Sequence, residues 1–148
     1  MNSYRTVVVG TDGSESSLLA VDRAGAIAAQ TNAELIVTTA YMPQSTDPPP
    51  AAILKDEGYK LMGNAPVYAI LQDARDRAKL AGATRVTERP IPGAPVEALV
   101  TLVEEVNADL LVVGNVGLGS LAGRLLGSVP AGVSRKAGAD VLIVHTSG

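Results

Sequence analysis

Apolar residues gather along this chain in four short, nearly unbroken runs. They are Thr6-Val-Val-Val9, Leu35-Ile-Val-Thr-Thr-Ala40, Leu110-Leu-Val-Val113 and Val141-Leu-Ile-Val144. Runs of this length without polar alternation predict strands covered on both faces, as in a parallel sheet. A fifth run, Arg85-Val-Thr-Glu-Arg89, is weaker and polar, and Pro90 and Pro92 follow it. That composition predicts an edge strand.

Between the runs the period changes to that of a helix. Ala20, Ala24, Ile27 and Ala28 follow a capping region over residues 14–17. Val67, Ile70, Leu71, Ala74, Ala78 and Ala81 form a second stripe that Gly82 closes. Pro95 opens a third, with Val96, Leu99, Val100, Val103 and Val106 on its apolar face. The last carries Val129, Val133 and Ala137 and stops at Gly138. Strands alternating with helices in this way predict a doubly wound, Rossmann-like α/β fold: an open parallel five-stranded sheet with helices on both faces. Residues 42–64 break the scheme, with Pro43, Asp47-Pro-Pro-Pro50, Gly58 and Gly63 and no sustained period. A connection this long reads as a flap beside a site, compatible with a short helix over 51–61.

Composition narrows the function more by exclusion than by suggestion. The 148 residues suit one domain spanning 1–148. No apolar run approaches the roughly 18 residues needed to cross a bilayer. The opening Met1-Asn-Ser-Tyr-Arg5 lacks the apolar segment of a secretory leader, so the expectation is a cytoplasmic protein without a membrane partner. Cysteine is absent and His145 is the single histidine, which removes thiol chemistry and leaves no evident base and nucleophile pair. A net charge of −3, with all aromatic residues tyrosine, argues against a nucleic-acid polymer as partner.

Two stretches carry chemistry. After the fourth apolar run come Gly114 and Gly117, then Gly127-Ser128 opening the last helix. Glycine brings main-chain N–H groups close to an anion, and a helix start adds unpaired donors and the positive end of its dipole. That backbone suits a phosphate. After the first run comes Gly10-Thr-Asp-Gly-Ser14, which sets an acid, Asp12, directly beyond a buried strand. Two readings are open for it: Asp12 and Ser14 cap the following helix, or Asp12 accepts hydrogen bonds from a ribose hydroxyl or a base. The glycine-rich segment favours the second. Neither a P-loop nor the dinucleotide fingerprint is present, so a nicotinamide enzyme is not expected.

The spacing Gly114, Gly117, Gly127, Ser128, with the opening Val-Gly-Thr-Asp-Gly-Ser, resembles the nucleotide-binding universal stress proteins from end to end. Within them the chain is most similar to the small cyclic-AMP-binding members of mycobacteria. The resemblance implies strand order 3-2-1-4-5 and a homodimer paired through a strand over residues 141–146. It implies a nucleotide site drawn from Gly10, Thr11, Asp12, Ala40, Gly114, Val116, Gly117, Arg124, Gly127, Ser128, Val129 and Pro130. Asp12 would hold the ribose, while Thr11 and Ala40 would line the adenine pocket. Gly114 would pack on the sugar, and Gly117, Gly127, Ser128 and Val129 would bind phosphate.

One departure from that pattern bears on the ligand. ATP-binding relatives carry a serine or threonine where this chain has Pro130, which supplies neither a hydroxyl nor an N–H donor. Arg124 is the single cation in the segment 114–130. A triphosphate needs several donors, cations or Mg2+ to disperse about four negative charges. A cyclic monophosphate carries about one, which helix-terminal amides satisfy. The expected ligand is therefore cyclic AMP, with ATP, accompanied by Mg2+, as the alternative. The expected role is a sensor or buffer without turnover, with no catalytic residue and no metal ligand. Slow ATP hydrolysis or adenylyl transfer stands as the competing activity, and a stress-linked interaction protein with a vestigial pocket as a third reading.

Overall fold

A computed structural model describes residues 4–41, 64–114 and 139–144. Five strands form one parallel sheet: β1 (Thr6–Gly10), β2 (Glu34–Tyr41), β3 (Arg85–Pro92), β4 (Leu110–Gly114) and β5 (Asp140–Val144). Their order is β3-β2-β1-β4-β5, as the resemblance implies. The central strands are those with the most continuous apolar runs. Val7, Val8 and Val9 are completely buried, and β4 is buried at every position. The polar fifth run forms an edge strand, as expected.

Three helices accompany the sheet among the described residues: α1 (Glu15–Thr31), α2 (Asn64–Leu80) and α3 (Pro95–Val106). The period of two along each strand sorts its side chains between two layers. Val7, Val9, Leu35, Val37, Leu110 and Val112 face α1 and α2, where Val21, Ala24, Leu71 and Ala74 complete that core. Val8, Ile36, Leu111 and Val113 face α3 through Leu99, Leu102 and Val103. None of the helices among the described residues is long and apolar enough to cross a membrane.

Two sequence boundaries are corrected. The third strand does not stop at Arg89 but pairs with β2 through Pro90 and Pro92, opposite Thr39 and Tyr41. The Gly93 N–H donates to the Tyr41 carbonyl at 2.8 Å, so odd-numbered residues turn their donors toward β2. The missing N–H groups of residues 90 and 92 therefore fall on the open side of the edge strand, where no ladder bond is lost. Asn64, read as the last residue of the 42–64 connection, is instead the first residue of α2. The rest of that connection, with the short helix considered over 51–61, lies outside the described residues. So do the last helix with Val129, Val133 and Ala137, the side chain of Val96, and His145.

Close approach of α1 to α2 depends on small residues. A Cβ on Gly25 would stand 2.8 Å from the Ala78 carbonyl oxygen, so only glycine permits this helix separation. At the end of α2, Gly82 takes φ +119°, the left-handed termination that its position predicts. The amino edge of the sheet is tied by acids. The Asp109 carboxylate accepts the N–H groups of Arg5 and Thr6 at 2.8 and 3.0 Å, and Tyr4 donates its hydroxyl to Asp140 at 2.9 Å. That bond to Asp140, with smaller help from desolvation, holds the Tyr4 phenol above its ordinary pKa.

Candidate functional site

The chain changes faces once among the described elements. The β1-to-β2 and β2-to-β3 crossovers pass through α1 and α2 on one side, and the β3-to-β4 crossover passes through α3 on the other. Strand order reverses between β1 and β4, the place where an open α/β sheet forms its ligand crevice. The ladders show where pairing between these two strands ends. β1 pairs with β4 only from Val7–Leu110 to Val9–Val112. Toward β2 it continues through Gly10–Thr38, and the Thr11 N–H then donates to the Thr38 carbonyl at 2.9 Å. β4 meanwhile stays with β5 as far as Gly114–Val144. Beyond Val9, each central strand stays paired with its outer neighbour, while the β1–β4 ladder has ended.

The turn leaving β1 borders that opening and is fastened from within. Gly13, at φ +86°, packs against α2, where an added Cβ would lie 2.9 Å from Ile70 Cγ1. Ser14 caps α1, its hydroxyl accepting the Ser17 N–H at 3.2 Å. The Asp12 carboxylate accepts the Ser14 N–H at 2.9 Å, so the capping interaction considered from sequence exists. Asp12 is half-buried beside the crevice.

The structure brings several of the expected residues to one sheet edge. Gly10, Thr11, Asp12, Ala40 and Gly114 all stand at the carboxyl ends of β1, β2 and β4. Thr11 is 1% exposed and its hydroxyl turns inward, accepting the Gly13 N–H at 3.0 Å and meeting the Ser17 hydroxyl at 2.6 Å. Ala40 pairs with Ile91 near the end of β2, half-buried on the α3 side of the sheet by strand parity. Val116, Gly117, Arg124, Gly127, Ser128, Val129 and Pro130 lie outside the described residues. A separate cavity lined by Val103, Glu104, Asn107 and Ala108 is at the C-terminal end of α3, at the opposite edge of the sheet. Among the described residues, no group of three or more acids or histidines is arranged to hold a metal ion.

Ser17 was passed over in the sequence as part of a capping region. A signal for it existed. Residue 17 shares the buried stripe of α1 with Ala20, Val21, Ala24 and Ala28, and a polar residue on such a stripe must find partners.

Comparison with known proteins agrees with this architecture. The model of the Universal stress protein family matches residues 3–145. The universal stress protein Rv1636 of Mycobacterium tuberculosis H37Rv is 65% identical over 99% of this chain and 100% of its own length. A crystal structure of a universal stress protein in complex with cAMP superposes with a TM-score of 0.76 at 61% identity, covering 99% of this chain and 100% of that one. The universal stress protein UspA from Lactobacillus plantarum reaches the same TM-score at 18% identity, over 97% of this chain and 99% of its own, and shares the fold.

Proposed function

This chain belongs to the universal stress protein family, and from that premise we propose that it binds an adenine nucleotide, cyclic AMP in preference to ATP, and releases it unchanged. The end of the β1–β4 ladder at the Val9–Val112 pair, with Asp12 at its border, is the observation that carries this reading. The crevice lies at the strand-order reversal, where the fold has backbone to offer a ligand. A relative of 61% identity crystallised with cAMP supports the choice of ligand.

In this arrangement Asp12 accepts the ribose hydroxyl. Gly10 and Gly114 keep the mouth open for want of side chains, and Thr11 and Ala40 border the base. Gly117, Gly127, Ser128 and Val129 supply N–H groups to the phosphate, with Val116, Arg124 and Pro130 in the same segment. A single negative charge suits such a set of neutral donors. The unit of function is a homodimer joined through the strand beginning at β5. That strand closes one side of the sheet, with Ile143 39% exposed and Val141 and Leu142 half-buried. An apolar edge of this kind invites a second copy.

Calorimetric titration with cyclic AMP, AMP and ATP, the last with and without Mg2+, tests the reading. Cyclic AMP is expected to bind most tightly, and labelled ATP to remain intact on prolonged incubation. Tenfold tighter binding of ATP, or turnover lost in Gly117→Ala, would replace a sensor with an ATP-dependent enzyme.

A further inference from the structure

The ligand reading uses Asp12 but does not explain why a serine occupies the apolar face of α1. Ser17 is 1% exposed. Its hydroxyl stands 3.0 Å from the Ser14 carbonyl, 2.6 Å from Thr11 Oγ1 and 3.3 Å from the Asp12 nitrogen. The protons can be assigned. A carbonyl only accepts, so Ser17 donates to Ser14; a backbone N–H only donates, so Ser17 accepts from Asp12. Its second acceptor position then takes the Thr11 hydroxyl proton, while Thr11 Oγ1 accepts the Gly13 N–H. The network closes with its donors and acceptors matched. It encircles residues 11–14 and leaves Ser17 no capacity for a ligand.

Asp12 is thereby held at two points. Its N–H rests on the Ser17 hydroxyl, and its carboxylate receives the N–H of Ser14, whose carbonyl accepts the Ser17 hydroxyl beside the Leu18 N–H and whose hydroxyl accepts the Ser17 main-chain N–H. We propose that Ser17 is a positioning residue for sugar recognition: without touching the nucleotide, it sets the direction of the Asp12 carboxylate and so the preference for a ribose bearing a 2′-hydroxyl. This rests on the reading that cyclic AMP places its ribose at Asp12. Both other ribose oxygens outside the ring are esterified in that ligand, so the 2′-hydroxyl is the sugar's remaining donor. Hydrogen bonds weaken steeply away from linearity, and a carboxylate free to rotate loses that selectivity.

The test compares cyclic AMP with 2′-deoxy cyclic AMP on wild type, Ser17→Ala and Ser17→Cys. Wild type is expected to favour the ribose form by about tenfold, the scale of one hydrogen bond to a charged group. Ser17→Ala should weaken cyclic AMP by about the same factor, leave the deoxy form within about twofold, and bring the ratio near one. Where alanine does not fold, cysteine carries the same test, since it fills similar space with a weaker hydrogen-bonding atom. A merely structural serine would weaken both ligands together and preserve the ratio, which overturns the positioning role alone. If wild type binds neither ligand, the nucleotide reading falls and this inference with it.

Discussion

Arg77 on α2 grips Asp22 on α1 with both arms of its guanidinium, Nε 3.0 Å from one carboxylate oxygen and Nη2 2.6 Å from the other. Glu15 adds a looser contact at 3.7 Å. The bond to Asp22 raises the Arg77 pKa, and burial opposes that only in part. Asp22 is still more than a third exposed, so solvent screening limits the value of the pair. Arg77→Ala is expected to lower the unfolding free energy by about 1 kcal/mol. Cyclic AMP affinity should stay unchanged, because Arg77, Asp22 and Glu15 are not among the residues assigned to the nucleotide. Urea unfolding followed by titration of the variant checks both.

Gly13 couples the β1–α1 turn to α2. An alanine there must adopt φ +86° and meet Ile70 Cγ1 at 2.9 Å. Gly13→Ala should cost about 1–3 kcal/mol, seen as a lower urea midpoint with an unchanged m-value. The same change should weaken cyclic AMP, because the turn that holds Asp12 must shift. Unaltered affinity would separate that turn from the ligand.

The Tyr4–Asp140 bond gives stability a pH dependence with a definite sign. The folded phenol has a pKa above its ordinary value of 10.0, so in the window between them the folded chain holds a proton that the unfolded chain has released. Stability from this pair is therefore complete below about pH 10 and is lost as pH rises through the raised value. The difference in unfolding free energy between wild type and Tyr4→Phe should be flat from pH 7 to 9 and shrink above pH 10. A difference that grows with alkalinity contradicts the assignment.

Ile143 offers the cleanest probe of the edge strand, since it is the exposed apolar residue of β5. Wild type is expected to sediment as a dimer, and Ile143→Lys as a monomer with near-native thermal stability. A charged variant that remains dimeric would move the interface elsewhere.

Much of the fold was legible because burial writes itself into runs. Val7, Val8 and Val9, covered on both faces, had to be apolar at every position, whereas Arg85 and Thr87 on the edge did not. Lateral order is another matter. Parallel strands joined by helices carry no local mark of their neighbours, so the order 3-2-1-4-5 came from resemblance and not from period. The extension of β3 through Pro90 and Pro92 was hidden because a proline's effect depends on which way its missing N–H would point. Ser17 was obscured by its neighbours: among Ser14, Ser16 and Ser17 any hydroxyl could have been the cap, and that choice masked the helical stripe that marks residue 17 as buried. Of the candidate site, the sequence offered Asp12 and the glycines by their place after strands, while the inward turn of the Thr11 hydroxyl is set by its packing against Ser17.

A crystal of the protein grown with cyclic AMP tests the central claim most directly. The expected density places the nucleotide at the carboxyl ends of β1 and β4, with its 2′-hydroxyl within hydrogen-bonding distance of the Asp12 carboxylate and its phosphate against the amides of residues 117 and 127–129. Cyclic AMP bound at any other surface, or a ribose turned away from Asp12, contradicts the account.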